Sequence, residues 1–201
     1  MSGPGRIDPF SRLDPSDDAE FYAVDRLVTH IEDGAIEVLR ECYGRLLPPE
    51  GHVLDLMSSW RSHLPVGRPG GVTGLGMNAN EMAANPQLSG FVVHDLNADA
   101  VLPFDDAAFD ASVCTVSVQY LTSPLDVFAD VRRVLRPGAP FAVAFSNRCF
   151  PTKAVAIWRY GSDAEHVDLV RAYFASSGFS EVEAQRLPSP DDPVSVVTGI
   201  A

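Results

Sequence analysis

The feature that most constrains the fold is a short apolar run that leads directly into a polar turn. The run Val53-Leu54-Asp55-Leu56 has the length and apolar character of a strand that is buried on both faces, as in a parallel sheet. The turn that follows, residues 57–63, contains no glycine. Glycine is typical of turns in which backbone amides approach a ligand closely. The sequence therefore predicts a buried parallel strand with an unusual turn at its carboxyl end.

Further apolar segments alternate with helical patterns along the chain. Strands are predicted at residues 71–75, 91–94, 109–118 and 141–146, with an amphipathic helix at 124–135. The tail contains a helix at 164–176 and two more strands, at 180–186 and 194–198. Such alternation favours a sheet that is covered by helices on both faces. We therefore predict an α/β, Rossmann-like three-layer sandwich, with a seven-stranded, mostly parallel sheet that ends in an antiparallel hairpin.

The domain organisation is predicted from length and local composition. A chain of 201 residues fits one domain. Residues 1–19 are rich in Gly, Pro, Ser and Asp, which is typical of a flexible N-terminal arm. Residues 20–49 have helical apolar spacing interrupted near Asp33, which predicts two helical segments that form a lid. Residues 20–201 are thus expected to form a single domain.

Charge and cysteine content limit the partners and the compartment. The net charge of −12 arises from 27 acidic residues against 15 Lys and Arg, and it repels nucleic acids and anionic membrane surfaces. The three cysteines have no CxxC spacing, which favours a reducing compartment. No apolar run approaches the ~20 residues of a membrane span. We expect a cytoplasmic protein with no nucleic-acid or membrane partner and an unknown oligomeric state.

Three segments together resemble one enzyme family. The first is the strand at Val53, the second is Leu102-Pro103-Phe104 shortly before Phe109-Asp110, and the third is the run of residues 133–138, Arg-Val-Leu-Arg-Pro-Gly. This combination resembles class I S-adenosylmethionine-dependent methyltransferases of type 11, over about half of the chain. The resemblance implies the cofactor S-adenosylmethionine and methyl transfer to a small-molecule acceptor.

The resemblance also implies a set of cofactor-binding positions. Family members usually have an acid-Gly-x-Gly turn after the first strand, whereas Ser58 and Ser59 stand here. Members usually end the second strand with an acid for the ribose hydroxyls, and Gly76 is at that place, so a Gly76→Asp substitution is expected to tighten binding. The implied cofactor-binding residues are Asp55, Ser58, Ser59, Asn78, Asp95, Leu96 and Ser117.

An alternative interpretation starts from the same turn. Trp60 and Arg61 fill the place where the methionine part of the cofactor is expected, and Arg61 offers a fork for a carboxylate or phosphate. The fold would then be repurposed for another reaction or for ligand binding in small-molecule metabolism. In the alternative without a ligand-binding role, Trp60 packs in the core and Arg61 lies in solvent.

Catalytic and substrate-binding residues are sought beside these strand ends. Tyr120 is a candidate general base or aromatic wall after the fourth strand, and His30 is a candidate base on the expected lid. Histidine spacing gives no metal-binding pattern, so no metal site is predicted. The candidate substrate-binding residues are Trp60, Arg61, Gln119, Asn147 and Arg148.

Overall fold

Seven strands form one sheet in the computed structural model, which describes residues 8–189 and 192–201. The strands are Val53–Leu56 (β1), Val72–Gly76 (β2), Gly90–Val93 (β3), Ala111–Thr115 (β4), Pro140–Ser146 (β5), Ser180–Leu187 (β6) and Val194–Ile200 (β7). The helices are Asp18–Tyr22 (α1), Asp33–Leu46 (α2), Ala79–Ala83 (α3), Pro124–Val134 (α4), Ala156–Arg159 (α5) and Asp163–Ser176 (α6), with a 3-10 turn at Val118–Tyr120.

The strand order is β3-β2-β1-β4-β5-β7-β6. The first five strands pair in parallel, and β7 pairs antiparallel with both β5 and β6. The predicted α/β fold and its C-terminal antiparallel hairpin are therefore confirmed. Because β1 lies between β2 and β4, the direction of winding reverses there, and a crevice opens at the carboxyl ends of these strands.

Helices cover the two faces of the sheet with separate apolar clusters. On one face, Leu39 and Tyr43 of α2 are fully buried together with Val53 and other strand residues. On the other face, Phe128 of α4 and Phe174 of α6 pack edge-on to one another, with ring centroids 5.1 Å apart. The burial of apolar residues on both faces gives the three layers.

The fourth strand is shorter than the sequence predicts. It was expected over residues 109–118, but it ends at Thr115. Val116 has a positive φ of 51°, which a strand cannot accommodate, and the 3-10 turn begins two residues later. The bend brings the residues of this turn to the carboxyl edge of the sheet.

Residues 23–32, which we call the strap, are not helical although their apolar spacing predicts a helix. The helix α1 ends at Tyr22 and α2 begins at Asp33. The side chains of Val24 and Val28 are more than half exposed, so a helix here would have no buried apolar face to stabilise it. α2 packs into the core rather than over the crevice, and the strap itself covers the crevice.

The N-terminal segment from residue 8 is fastened to the loop after β5. The amide of Asp14 donates to the carbonyl of Thr152 at 2.9 Å, and the amide of Ala156 donates to the carbonyl of Ser11 at 2.8 Å. The buried ammonium of Lys153 lies 3.1 Å from the carboxylate of Asp18. Packed structure therefore begins before residue 20, and residues 1–7 of the predicted flexible arm lie outside the described residues.

None of the helices in residues 8–189 and 192–201 combines the length and the apolar character that crossing a membrane requires.

Candidate active site

A cleft of about 340 Å³ opens at the carboxyl ends of the central strands. Its volume is in the usual range for small-molecule sites, roughly 300–1,000 Å³. The strap, the turn after β1, the ends of β2, β3 and β4, and the loop after β5 all contribute to its walls. It therefore lies at the switch point of the sheet, where the strand pattern predicts a ligand site.

The turn after β1 lies directly against β2. Met57 takes the left-handed conformation, with φ 56°, and the amide of Ser58 donates to the carbonyl of Leu75 at 2.8 Å. A Cβ atom on Gly76 would overlap the carbonyl oxygen of Ser58, and one on Gly74 would lie 3.2 Å from Ser58 Oγ. Glycines on β2 thus make room for a turn that has none of its own.

This contact corrects one expectation at the second strand. An aspartate introduced at position 76 was expected to bind the ribose, but the Ser58 carbonyl occupies the space that its side chain needs. The expectation that Gly76→Asp tightens cofactor binding is therefore wrong. Such a side chain would displace the turn before it could reach a ligand.

Side-chain hydrogen bonds hold the turn in place. Ser58 Oγ donates to Asp55 Oδ2 at 2.6 Å, and Ser59 Oγ donates to Glu81 Oε2 at 2.5 Å. Asn85 Nδ2 donates to the carbonyl of Ser59 at 2.8 Å. Because these hydroxyls are already bonded within the protein, the turn is rigid, and its serines contribute to the cleft mainly through their shape.

Trp60 and Arg61 both line the cleft. Trp60 is half-buried, and its Nε1 donates to the carbonyl of Val28 in the strap at 2.9 Å. Arg61 is exposed, with its Cζ 4.9 Å from the centroid of the Trp60 ring, and it forms no ion pair within the described part of the chain. Trp60 therefore fastens the strap to the turn instead of entering the core, and Arg61 keeps a free guanidinium.

Asp55 is a buried carboxyl without a cationic partner. Its side chain is 3% exposed, it faces the cleft, and burial raises its pKa to about 7 although the hydroxyls of Ser58 and Ser62 lower it. No Lys or Arg in the described ranges forms an ion pair with it. A cationic ligand group would stabilise the ionised form.

The ends of β3 and β4 form a second, more open half of the cleft. Asp95 lines it and accepts one hydrogen bond, from the amide of Asn97 to Oδ1 at 2.8 Å. Leu96 presents apolar surface, and Ser117 follows β4 with its hydroxyl 3.2 Å from the carbonyl of Thr115. These three predicted cofactor residues are brought together by the fold.

Asn78 also lines the cleft, but its side-chain amide forms hydrogen bonds within the protein. Its Oδ1 accepts from the amide of Glu81 at 3.0 Å and caps α3, while Nδ2 donates to the carbonyl of Tyr22 and to Asp25. Both polar atoms are thus already hydrogen bonded. A role for the Asn78 side chain in holding a ribose would require it to give up these bonds.

Tyr120 forms an aromatic wall of the cleft together with Phe150. The two rings are stacked, with centroids 6.0 Å apart, and the Tyr120 hydroxyl accepts from the amide of Phe150 at 2.8 Å. Burial raises the pKa of Tyr120 to about 12, so its hydroxyl remains protonated at neutral pH. This favours the wall over the general base among its two predicted roles.

Three predicted substrate-binding residues are placed differently from the expectation. Gln119 is 1% exposed, does not line the cleft, and bonds back to the carbonyl of Val116 at 2.9 Å. Asn147 is exposed outside the cleft. Arg148 lies at the rim, where Asp192 binds its guanidinium at 2.6 Å. The sequence placed all three near strand ends, but it did not reveal these local partners.

Two histidines, His30 and His63, face the cleft. His30, on the strap, packs edge-on against Phe150 with ring centroids 5.3 Å apart, and burial lowers its pKa. His63 is the last residue of the turn after β1, is 7% exposed, and has a left-handed φ of 55°. His63 was not among the predicted site residues, although its position in the ligand-facing turn was a usable signal. Within the described ranges, no three His, Cys, Asp or Glu side chains are arranged to hold a metal ion.

Comparisons with known proteins agree with this architecture. Residues 67–143 match a family described as "Methyltransferase domain". A stretch of 67 residues is 31% identical to the biotin biosynthesis bifunctional protein BioHC of Teredinibacter turnerae. That match covers 33% of this chain and only 12% of the relative, so the chain spans a small part of that protein.

Several solved structures share the fold at low sequence identity. A SAM-dependent methyltransferase from Aquifex aeolicus is 16% identical, with a TM-score of 0.62 over 85% of this chain and 94% of the other. The [4+2]-cyclase SpnF is 13% identical, with a TM-score of 0.63 over 84% and 85% of the two chains. At these identities the likeness shows the fold alone.

Proposed function

We propose that this chain belongs to the class I S-adenosylmethionine-dependent methyltransferases, binds S-adenosylmethionine in the cleft and methylates a small molecule. The observation that carries the proposal is the pair of carboxyls at the ends of β1 and β3. Asp55 and Asp95 both face the cleft, and neither forms an ion pair within the described ranges. They suit a ligand that carries positive charge and a hydrogen-bond donor.

Asp55 is suited to the charged part of the cofactor. S-adenosylmethionine carries a sulfonium and an ammonium group, and it supplies an activated methyl group when bound. A buried carboxyl with a pKa of about 7 gains stability in its ionised form when such a cation approaches. The chain itself then contributes alignment and exclusion of water from the cleft.

The β3 and β4 ends are suited to the adenosine part. Asp95 has one carboxylate oxygen free of hydrogen bonds among the described residues, which can accept from an adenine amino group. Leu96 and Ser117 lie beside it and offer an apolar surface and a hydroxyl. With Gly76 in place of an acid, the ribose has no charge-assisted partner there, so we expect a modest affinity.

The acceptor side of the cleft is suited to a small planar molecule. Tyr22, His30, Tyr120 and Phe150 contribute aromatic surface, and the strap narrows the opening above them. Arg61 is available for an anionic substituent at the rim. The net charge of −12 disfavours a nucleic-acid substrate. We propose a small-molecule acceptor in the cytoplasm.

Isothermal titration calorimetry with S-adenosylmethionine and S-adenosylhomocysteine tests the proposal. We expect both ligands to bind the wild type. At pH 7, S-adenosylmethionine should release about half a proton as Asp55 ionises, measured in two buffers that differ in ionisation enthalpy. Asp55→Asn should abolish this release and weaken binding, while the exposed Asp105→Asn should change neither. Absence of binding at millimolar ligand would refute the proposal.

A second candidate function is a repurposed fold that acts on another ligand. The overlap between the Ser58 carbonyl and the place of a Gly76 side chain favours it, because this half of the cleft is filled by the protein itself. The structural likeness to a [4+2]-cyclase, at 13% identity, is compatible with it at the level of fold. Binding of a carboxylate or phosphate compound that is lost in Arg61→Ala, without binding of adenosyl ligands, would favour this candidate.

A further inference from the structure

The histidines of this chain divide into two groups by their hydrogen bonds. Among the described residues, His30 and His63 have no hydrogen-bond partner for either ring nitrogen, and both line the cleft. In each of the other three histidines, Nε2 lies 2.8 Å from a protein oxygen; these pairs are His52 with Thr73, His94 with Asp99 and His166 with Trp158. The two unpartnered imidazoles are thus both at the candidate active site.

His63 is the more demanding of the two positions. Its side chain is 7% exposed, and Nδ1 is closed off from solvent without a partner. Its backbone has a φ of 55°, which costs energy in a residue other than glycine. An unsatisfied buried nitrogen and a strained backbone at one residue are a combination that is concentrated at functional sites.

Neighbouring groups keep His63 in its neutral form. Burial contributes most, and Arg61, His30 and Arg40 add to it, so that the pKa of His63 is lowered to about 4. The imidazole is therefore neutral throughout the physiological pH range and has a lone pair available.

We propose that His63 is the proton acceptor of the cleft and that the acceptor substrate is methylated on a hydroxyl group. The inference rests on the proposed methyl transfer. The new bond joins the acceptor oxygen to the methyl carbon, and the electron pair of the broken carbon–sulfur bond remains on sulfur. The hydroxyl proton passes to the imidazole of His63, which becomes an imidazolium and later returns the proton to solvent.

The chemistry of oxygen explains why a base is useful here. A hydroxyl oxygen that acquires a methyl group becomes strongly acidic, so even an imidazole with a low pKa accepts its proton. A free amine needs no such base, because the methylated ammonium is stable, and a carboxylate or thiolate has already lost its proton. A neutral buried imidazole therefore favours an acceptor that carries O–H.

The position of His63 is fixed more firmly than that of the alternative bases. The preceding residue, Ser62, accepts a hydrogen bond from Asn85 Nδ2 at 2.9 Å and is fully buried. His30 instead lies on the non-helical strap, and Tyr120 keeps its proton because of its raised pKa. A base must be held in the productive geometry, which favours His63.

The substitution His63→Gly provides a specific test. Glycine accepts the left-handed φ, so the variant is expected to fold, and it leaves a space that free imidazole can enter. With methyl-labelled S-adenosylmethionine and a panel of small phenols, alcohols, amines and thiols, the wild type should methylate a hydroxyl compound. We expect kcat to fall about 100-fold or more in His63→Gly and to recover with added imidazole. His52→Gln, outside the cleft, should retain the wild-type rate.

A readout without turnover accompanies this assay. Histidine proton NMR should show one ring, absent in His63→Gly, that stays neutral down to about pH 5 and shifts when the hydroxyl compound binds. The dissociation constant of S-adenosylhomocysteine should be the same in wild type and variant. A variant that keeps its full rate, or methylation confined to amines or thiols, would overturn the role of His63 while leaving the proposed function intact. A wild type that does not bind S-adenosylhomocysteine would overturn both.

Discussion

The two halves of the cleft are built in opposite ways. At the ends of β1 and β2, the turn is closed, and the carbonyl of Ser58 fills the space beside Gly76. At the ends of β3 and β4, Asp95 and Ser117 leave polar atoms that face the cleft. The first half offers a ligand mainly the charge of Asp55, whereas the second offers directional hydrogen bonds.

The difference shows that the space a turn needs can be provided by glycines on a neighbouring strand instead of by glycines in the turn itself. A turn that lacks glycine still lies close to the sheet, because Gly74 and Gly76 on β2 remove the side chains that would obstruct it. Serine and tryptophan side chains then hold the turn through hydrogen bonds.

The largest effect is expected at Gly76. Gly76→Ala and Gly76→Asp should lower the free energy of unfolding by roughly 4 kcal/mol or more, beyond the about 1–3 kcal/mol of ordinary overpacking, because the overlapping atom belongs to the Ser58 backbone. Gly90→Ala is the matched control, since a Cβ there meets no atom within 4 Å. Urea denaturation measures both. A Gly76→Asp variant that is stable and binds the cofactor more tightly would contradict this placement of the turn.

The second prediction concerns the pH dependence of stability. In the folded state the pKa of Asp55 is raised to about 7. The contribution of Asp55 to the free energy of unfolding therefore falls as pH rises from about 4 to about 7. The pKa of His63 is lowered to about 4. The contribution of His63 to the free energy of unfolding therefore falls as pH falls from about 6.5 to about 4. In the wild type the two trends should largely cancel.

Single substitutions should separate the two trends. The free energy of unfolding of Asp55→Asn should rise by about 3 kcal/mol from pH 4 to pH 6.5, because the His63 shift then acts without the opposing Asp55 shift. That of His63→Gln should fall by a similar amount as pH rises to 7, because Asp55 alone remains. Thermal or urea unfolding in a pH series measures both. Parallel curves for the two variants would contradict the assigned shifts.

The third prediction concerns the open half. If Asp95 accepts from the adenine amino group, Asp95→Ala should weaken S-adenosylhomocysteine binding by roughly 1–3 kcal/mol with little loss of stability. Asp99→Ala is a suitable comparison, because Asp99 follows the same strand but does not line the cleft. Calorimetry gives the difference. Equal affinities for wild type and Asp95→Ala would show that the adenosine does not bind in this half of the cleft.

The smallest effects are expected at the link between turn and strap. Trp60→Phe removes the hydrogen bond to the Val28 carbonyl and should cost about 1 kcal/mol of stability, less than the about 3–5 kcal/mol of a truncated core aromatic. Hydrogen exchange of the strap amides should increase. Arg61→Ala should change stability by less than about 0.5 kcal/mol. A severe loss in Trp60→Phe would mean that this side chain belongs to the core.

The sequence predicted the elements that depend on local pattern and missed those that depend on distant contacts. Apolar runs such as Val53–Leu56 identify strands, and Asp95 lies two residues after the end of β3. The strap has helical spacing, but only its lack of a packing surface decides that it is not a helix. The contact of Ser58 with Gly76 joins residues on different elements, and no periodicity encodes it.

Site residues follow the same distinction. Asp55, Asp95 and Ser117 reach the cleft because parallel strands end at a common edge, which the pattern already implies. The side chain of Gln119 points inward because its amide donates to the carbonyl of Val116, which has a left-handed backbone conformation. The sequence already places His63 in the ligand-facing turn, but the lack of a partner for its Nδ1 is visible only in three dimensions.

The most direct measurement is a crystal structure of the protein with S-adenosylhomocysteine. We expect density in the cleft with the adenine amino group within hydrogen-bond distance of Asp95 and the homocysteine part near Asp55. The Ser58 carbonyl should still lie against Gly76. A cleft without the ligand after soaking at millimolar concentration, or a turn that moves off Gly76 to admit the ribose, would contradict the account.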